Sequence, residues 1–344
     1  MRISIHRFCP ILLFLASLGS CSYGEHDDYL RSLRLRTEYI SPEAILDLEE
    51  SGILKPRQFC FLDGRFYVSK SDGKYNITVI DPQQGIRTDV LRRGRGPCEV
   101  YQGSSLHISD GRVIFNDSGS AICIGLNYNK DTQKVAIDTI ARFNLVGARP
   151  YFMCKSGDYF ISGNISNPDC WYASFDKSGE IKSEVCALSF PELEGKGKDL
   201  RASLMLSSLY ASSPDATKVC VANVMSASLS FSYVNGGKLS EYNRIQYNAP
   251  EMSGRGFSPE SVSCFNGIAA TDESVYVLYS GRNINGDVPR DECMHLIHYS
   301  WDGTPIKRYS LTHSLSAICC SGGKMYGMST YPTSQIYMVP IHVE

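Results

Sequence analysis

The chain has 344 residues, of which 43% are hydrophobic, 20% charged and 11% aromatic, a globular balance that excludes a disordered or collagen-like polymer. Its 34 basic and 36 acidic groups leave a formal charge of −2, so it has no bulk electrostatic reason to bind nucleic acid or anionic lipid. Twenty-one tyrosines against two tryptophans, among many small polar residues, form a β-rich composition.

Arg2 and Arg7 flank and precede an apolar run from Phe8 to Leu18. That run is too short for a bilayer core, which takes about 20 residues, but it suits the h-region of a secretory signal. Residues 1–20 are therefore expected to be removed, which takes both arginines and leaves a mature charge of −4. The string Leu18-Gly19-Ser20-Cys21 resembles the lipobox of bacterial lipoproteins. This resemblance implies cleavage before Cys21, diacylation of its thiol and anchoring in the bacterial envelope, most naturally the outer membrane; two or more acyl chains hold where one is marginal. The polar, acidic stretch 21–29 reads as a tether, and 30–344 as a single domain.

Leu30 to Ile40 alternates, as in Leu33-Arg34-Leu35-Arg36, and reads as a strand with no local partner. Ser41-Pro42-Glu43 has the pattern of an N-cap followed by Pro at N1, so residues 42–50 are expected to be a short helix. From there a hairpin signal recurs six times: Asp63-Gly64-Arg65-Phe66-Tyr67-Val68, Asp110-Gly111-Arg112-Val113, Ser156-Gly157-Asp158-Tyr159, Asp215-Ala216-Thr217-Lys218, Asp272-Glu273-Ser274-Val275 and Gly322-Gly323-Lys324-Met325. The steps between second turn residues are 47, 46, 59, 57 and 50. Short strands at such a period mark a propeller with one four-stranded blade per repeat. A pair of β-sandwiches would show no such constant unit.

In the first repeat the strands fall near 58–62, 65–69, 77–81 and 86–91. A second turn also repeats, as Asp81-Pro82-Gln83-Gln84-Gly85, Asp176-Lys177-Ser178-Gly179, Asn235-Gly236-Gly237 and Trp301-Asp302-Gly303; Gly and Asn there accept φ > 0. The last repeat holds only three strands before the chain ends. The expected fold is all-β, a six-bladed propeller of four-stranded antiparallel blades, with the N-terminal strand 30–40 closing the last blade.

Gly94-Arg95-Gly96-Pro97-Cys98-Glu99-Val100, with the lipobox and blade count, resembles the six-bladed β-propeller lipoproteins, relatives of the NHL and TolB-like propellers. Their GxGPGEF-like lead-in is kept here at Gly94, Gly96, Pro97 and Glu99, while Cys98 replaces a Gly and Val100 an aromatic residue. The resemblance implies a fold and a lipoprotein context but no activity.

The long irregular segments, 92–104, 188–207, 249–262 and 281–293, are expected on one face, where binding loops on a rigid scaffold belong. That face receives Arg93, Arg95, Arg149, Arg201, Arg255, Arg282 and Arg290, whose planar donors suit carboxylate, phosphate or sugar. Candidate ligand-binding residues are Arg93, Arg95, Asn116, Asp117, Asn223, Arg255 and Arg282, with Gly94, Gly96, Pro97 and Glu99 shaping the loop. Asp72, Asn116, Asp117, Asn164 and Asn223 follow second strands and are the material for an axial divalent cation, although turns are rich in these types anyway. His295 and His298 fall on opposite faces of a strand and cannot chelate together, and His107 reads as a packed strand residue. No catalytic residue or resident cofactor is expected. GxSxG, HExxH and GxxxxGK[ST] are absent.

Beyond Cys9 and Cys21, eleven cysteines remain, scattered in apolar runs with no CxxC pair; they read mostly as free core thiols. Two functions follow. The first is a non-catalytic, monomeric binding or scaffold module for a glycan, peptide or protein. The second is a metal-dependent propeller hydrolase, lactonase or lyase with an axial site.

Overall fold

The computed structural model describes residues 28–343 apart from 97–98, 102, 144–151, 165–166, 196, 248, 254–255 and 290. The signal segment, Cys21 and most of the tether lie outside the described residues. The chain divides into two units, residues 1–34 and 35–344. In the first, the described element is one helical turn, Asp28–Ser32, with Asp28 and Arg31 paired at 3.8 Å.

The second unit is a six-bladed β-propeller. Blade one is a meander of Pro56–Leu62, Arg65–Lys70, Tyr75–Asp81 and Ile86–Arg92, ordered from the axis outward. Blades two to six occupy residues 103–142, 153–186, 208–245, 262–315 and 317–339. The turn glycines Gly64, Gly111 and Gly157 have φ of 78°, 68° and 56°, the left-handed backbone those hairpins need.

Burial follows from radial stacking. The second strand of blade one, Arg65–Lys70, is buried at every position, because neighbouring blades cover both its faces. Such strands read as continuous runs rather than alternations. The outer strand of blade two, Lys134–Arg142, is exposed along much of its length. Aromatic side chains fill the wedges between blades: Phe61 of blade one lies 4.5 Å, centroid to centroid, from Tyr326 of blade six. Polar ties cross the same boundaries, such as the Gln58 amide oxygen accepting the Leu106 N–H at 2.7 Å.

Closure by an N-terminal strand is present, but the strand is Glu43–Asp47. It pairs antiparallel with Gln335–Val339 of blade six, Glu43 opposite Met338 and Asp47 opposite Gln335. This is the stretch expected to be helical. The open edge of Gln335–Val339 supplies a row of backbone partners, and that tertiary pairing overrides the local capping signal. Of the segment 30–40, only Thr37–Ile40 is a strand, and it runs parallel to the outer strand of blade five, Pro305–Leu315, as a fifth member. Among the described residues of the propeller the α-helix is Lys198–Leu206, in the link between blades three and four. It forms because Leu200, Leu204 and Met205 share a buried face.

The ring should therefore depend on residues 43–47 more than on 37–40. Replacing Glu43–Asp47 by a Gly-Ser segment of equal length is expected to lower Tm by about 5 °C or more and to promote aggregation through the bared edge. The same replacement of Thr37–Ile40 leaves a complete four-stranded blade five and should shift Tm by no more than about 2 °C. Thermal melts by circular dichroism of the two variants decide this, and equal effects would remove the closure argument.

Candidate functional site

The inner strands of all six blades converge on an axial cavity of about 1110 Å³. Links between blades and the second-to-third-strand loops emerge on one face of an antiparallel meander, and the described loops rim the cavity there. Leu54 and Lys55, Tyr101, Asp291, and Thr330 with Ser334 contribute from four of these loops.

The lead-in from blade one to blade two is built on glycine. Gly94 and Val100 close it through an N–H to carbonyl bond of 3.1 Å, and Val100 N–H returns to the Arg92 carbonyl at 2.9 Å. The Glu99 carboxylate lies across the loop, accepting the Gly96 N–H at 2.9 Å, with Arg92 Nε at 3.4 Å. A Cβ on Gly94 would collide with that carboxylate, so the glycine and the acid require each other. Arg95 donates to the Tyr101 hydroxyl at 2.9 Å and its guanidinium stands 4.4 Å from that ring's centroid. Tyr101 lines the cavity, which places Arg95 beside the mouth. Pro97 and Cys98 lie outside the described residues.

The other candidates divide clearly. Arg93 lines the cavity, and its guanidinium is held by the Ser71 carbonyl at 2.7 Å, the Lys70 carbonyl at 2.9 Å and the Asn76 side chain at 3.3 Å. Asn116 donates to Ser104 Oγ at 2.9 Å. Asp117 accepts the Tyr101 N–H at 2.9 Å and the Gly119 N–H at 3.0 Å. Asn223 donates to the Leu204 carbonyl at 2.7 Å and accepts the N–H groups of Met225 and Ser226. These three amide and acid groups shape loops around the cavity without lining it. Arg282 stands opposite Ser263 in blade five, and Arg201 pairs with Asp169 at 2.8 Å beside a smaller cleft of about 370 Å³. Asp72 accepts the Lys55 N–H and Asn164 donates to Glu184. Arg149, Arg255 and Arg290 lie outside the described residues.

Several cavity residues carry no sequence signal. Among the described lining residues, Lys55, Arg57, Lys70 and Arg93 are cationic and Asp291 alone is a carboxylate. Lys70 is buried and paired with Asp89 at 3.0 Å. Glu292, next to Asp291 and fully buried, takes the Thr330 N–H and hydroxyl at 2.7 Å each and the hydroxyls of Ser314 and Ser329. It ties the long blade-five loop to blade six. Its partners lie 22 to 38 residues away, so no local spacing betrays it.

Among the described residues no three His, Cys, Asp or Glu side chains gather as a metal-ligand set. An axial divalent cation therefore finds no fitting carboxylate cluster in the described lining. The described cysteines are free; burial pushes the thiols of Cys123 and Cys154 up to about 12, which keeps them protonated and inert. His298 bonds Ser274 at 2.8 Å and stacks on Tyr276 at 4.6 Å, away from His295.

His107 accepts the Lys155 N–H through Nε2 at 2.9 Å, and burial, helped by the Lys155 charge, holds it down to about 4. His295 is held to about 4 by burial and by Arg308 and Arg282. Both are thus neutral in the folded protein at pH 6, while in the unfolded chain they titrate near 6.5. As pH falls below 6.5 the unfolded state gains protons that the folded state does not, and stability drops until about pH 4. The expected slope is up to roughly 1.4 kcal/mol per pH unit for each histidine. His107→Gln, which keeps an acceptor for Lys155, should remove about half of it in urea titrations between pH 4 and 7; an unchanged slope would contradict the buried, neutral assignment. Separately, Glu292→Ala should cost about 1–3 kcal/mol by stranding buried donors, read in the same titrations at pH 7.

Two solved structures with TM-scores above 0.5 share the architecture at low identity. Regucalcin, a calcium-binding protein of Agrobacterium tumefaciens, is 12% identical with a TM-score of 0.53, over 90% of this chain and 97% of its own. An exported-protein candidate from Bacteroides fragilis is 11% identical with a TM-score of 0.52, over 88% and 94%. A gluconolactonase from Xanthomonas campestris is 9% identical with a TM-score of 0.48, over 89% and 98%. No curated protein sequence matches the chain. The model of the TolB-like 6-blade propeller-like family matches residues 81–322. With its repeats, blade order and most of its length in agreement, the chain belongs to the TolB-like six-bladed propeller family.

Proposed function

We propose that the protein is a lipoprotein, anchored to the envelope through Cys21, whose propeller captures a glycan or peptide at the loop-face mouth of its axial cavity without transforming it. The observation that carries this reading is the cavity itself. Its volume of about 1110 Å³ slightly exceeds the usual range for small-molecule sites, which suits a short oligomer. Its rim is built from loops that rigid blades hold in place, through Arg93, Asn116, Asp117 and Asn223. The described lining offers polar and cationic groups but no metal-ligand set, and the sequence holds no nucleophile motif. These features favour recognition over hydrolysis. The polar stretch after Cys21 fits a tether that holds the propeller off the membrane.

Two measurements test the two halves. Cys21→Ala should move the protein from the membrane fraction to the soluble fraction, or leave the precursor uncut; a mature-sized variant still sedimenting with membranes would refute the anchor. For capture, the full-length protein in detergent is applied to arrays of oligosaccharides and peptides. Ala317 lines the cavity near the loop-face end of the inner strand of blade six, so Ala317→Trp should block the channel and abolish any capture with little change in Tm. Capture that survives this block would place the site elsewhere.

A further inference from the structure

We propose that the blade-one side of the cavity mouth is an anion subsite, and that the ligand it takes is a carboxylate-bearing saccharide such as a uronic acid oligomer. The inference rests on the capture reading above and adds the class of ligand.

Its anchor is Arg57. The inner strand Pro56–Leu62 pairs Pro56 with Lys70 and then Gln58 with Ser69, so Arg57 is the extra residue of a β-bulge. Bulges re-aim a side chain and recur beside functional sites. Arg57 lines the cavity, stays exposed, and forms no ion pair among the described residues. Lys55, two residues earlier, likewise lines the cavity and is exposed; its backbone N–H donates to the Asp72 carboxylate, while its ammonium forms no ion pair among the described residues. Arg93 is fixed behind them by two backbone carbonyls, neutral acceptors that leave its full charge in place. Three cations thus face one edge of a cavity whose described lining contains a single carboxylate. In a cleft walled by low-dielectric protein such an imbalance concentrates anions, and an Arg fork matches a carboxylate in two parallel hydrogen bonds.

The neighbouring blade supplies the saccharide half of the argument. Its inner strand, Gly103–Ser109, carries a bulge at the same end, between Gly103 and Ser105, and the extra residue is Ser104. Ser104 and Ser105 both line the cavity. Ser105 is 7% exposed and its hydroxyl has no partner among the described residues; buried polar atoms of this kind are normally satisfied, and a rotation of one torsion offers it to a ligand hydroxyl. Tyr101 stands at the rim with Arg95 over one face of its ring and 44% of its surface still exposed, flat apolar area against which the C–H face of a sugar can pack. Carboxylate, hydroxyls and a flat apolar face are together what a uronic acid presents.

Calorimetric titration of the full-length protein in detergent, with uronic acid oligosaccharides of galacturonate, glucuronate and mannuronate and with their neutral counterparts, tests this. At least one acidic series should bind, at least tenfold more tightly than its neutral partner, with affinity falling as salt is raised. Arg57→Gln should weaken that binding at least tenfold with Tm unchanged, and Arg57→Lys should recover part of it. Ser105→Ala should weaken acidic and neutral sugars alike. Acidic and neutral sugars binding equally, or Arg57→Gln without effect, would overturn the anion subsite while leaving capture standing. Inorganic phosphate binding at the same site when no uronate binds would overturn the saccharide assignment. Silence from every saccharide together with capture of a peptide on the arrays would overturn this inference and keep the capture reading; silence from both arrays would end both.

Discussion

A ring of sheets has no surface on which an incomplete member can rest. Each blade buries both faces of its second strand against its neighbours, so the apolar filling of blade one depends on blade six being whole. Leu46 of the closing strand packs on a cluster that already contains Phe66, Tyr326 and Ile336. The five residues from Glu43 to Asp47 thereby complete a core that spans blades one, two and six. Polar ties such as Tyr172 to Ser230 and Ser232 fix the angle between neighbours, but hydrogen bonds of that kind each contribute only about 1 kcal/mol net. Burial across the blade boundaries dominates.

The same radial plan decides what the centre can do. Six inner strands surround a space that side chains do not fill, and loops stiffened by Asx-type bonds and by the Gly94–Glu99 contact form its rim. Charge is distributed unevenly around it, because blade one contributes cations from three successive pieces of chain: the entry link, the bulged strand and the exit. A site of this kind comes from the geometry of the whole ring and belongs to no single motif.

That explains which features are legible in the sequence. The turn signals found all six hairpins, four of which turn on Gly or Asp at φ > 0, and strand bounds in blade one agree within two residues. The need for an N-terminal closing strand follows from counting. Which segment supplies it does not, because Ser41-Pro42-Glu43 carries a helix signal that only the distant edge of Gln335–Val339 defeats. At the centre, loop arginines attract notice, yet the bulge that turns Arg57 toward the cavity is a property of pairing register. Glu292 is invisible for the same reason: an acid in a long loop looks solvated until Thr330 and Ser329 arrive from the next blade.

The closing pair also imposes an order of events in time. Asp47 and Gln335 meet across a separation of 288 residues, so the strand made first finds its partner only after nearly the whole chain has been made. Contacts this distant in sequence form late and slowly. Until then Glu43–Asp47 and the open edge of blade six are both unpaired, a state in which strand edges recruit other chains. A lipid anchor a short way upstream of that waiting strand would hold one end of the nascent ring at the membrane while the other blades assemble, limiting encounters between unfinished molecules. The seam that stabilises the finished propeller is thus also its last step of biogenesis and its period of greatest exposure.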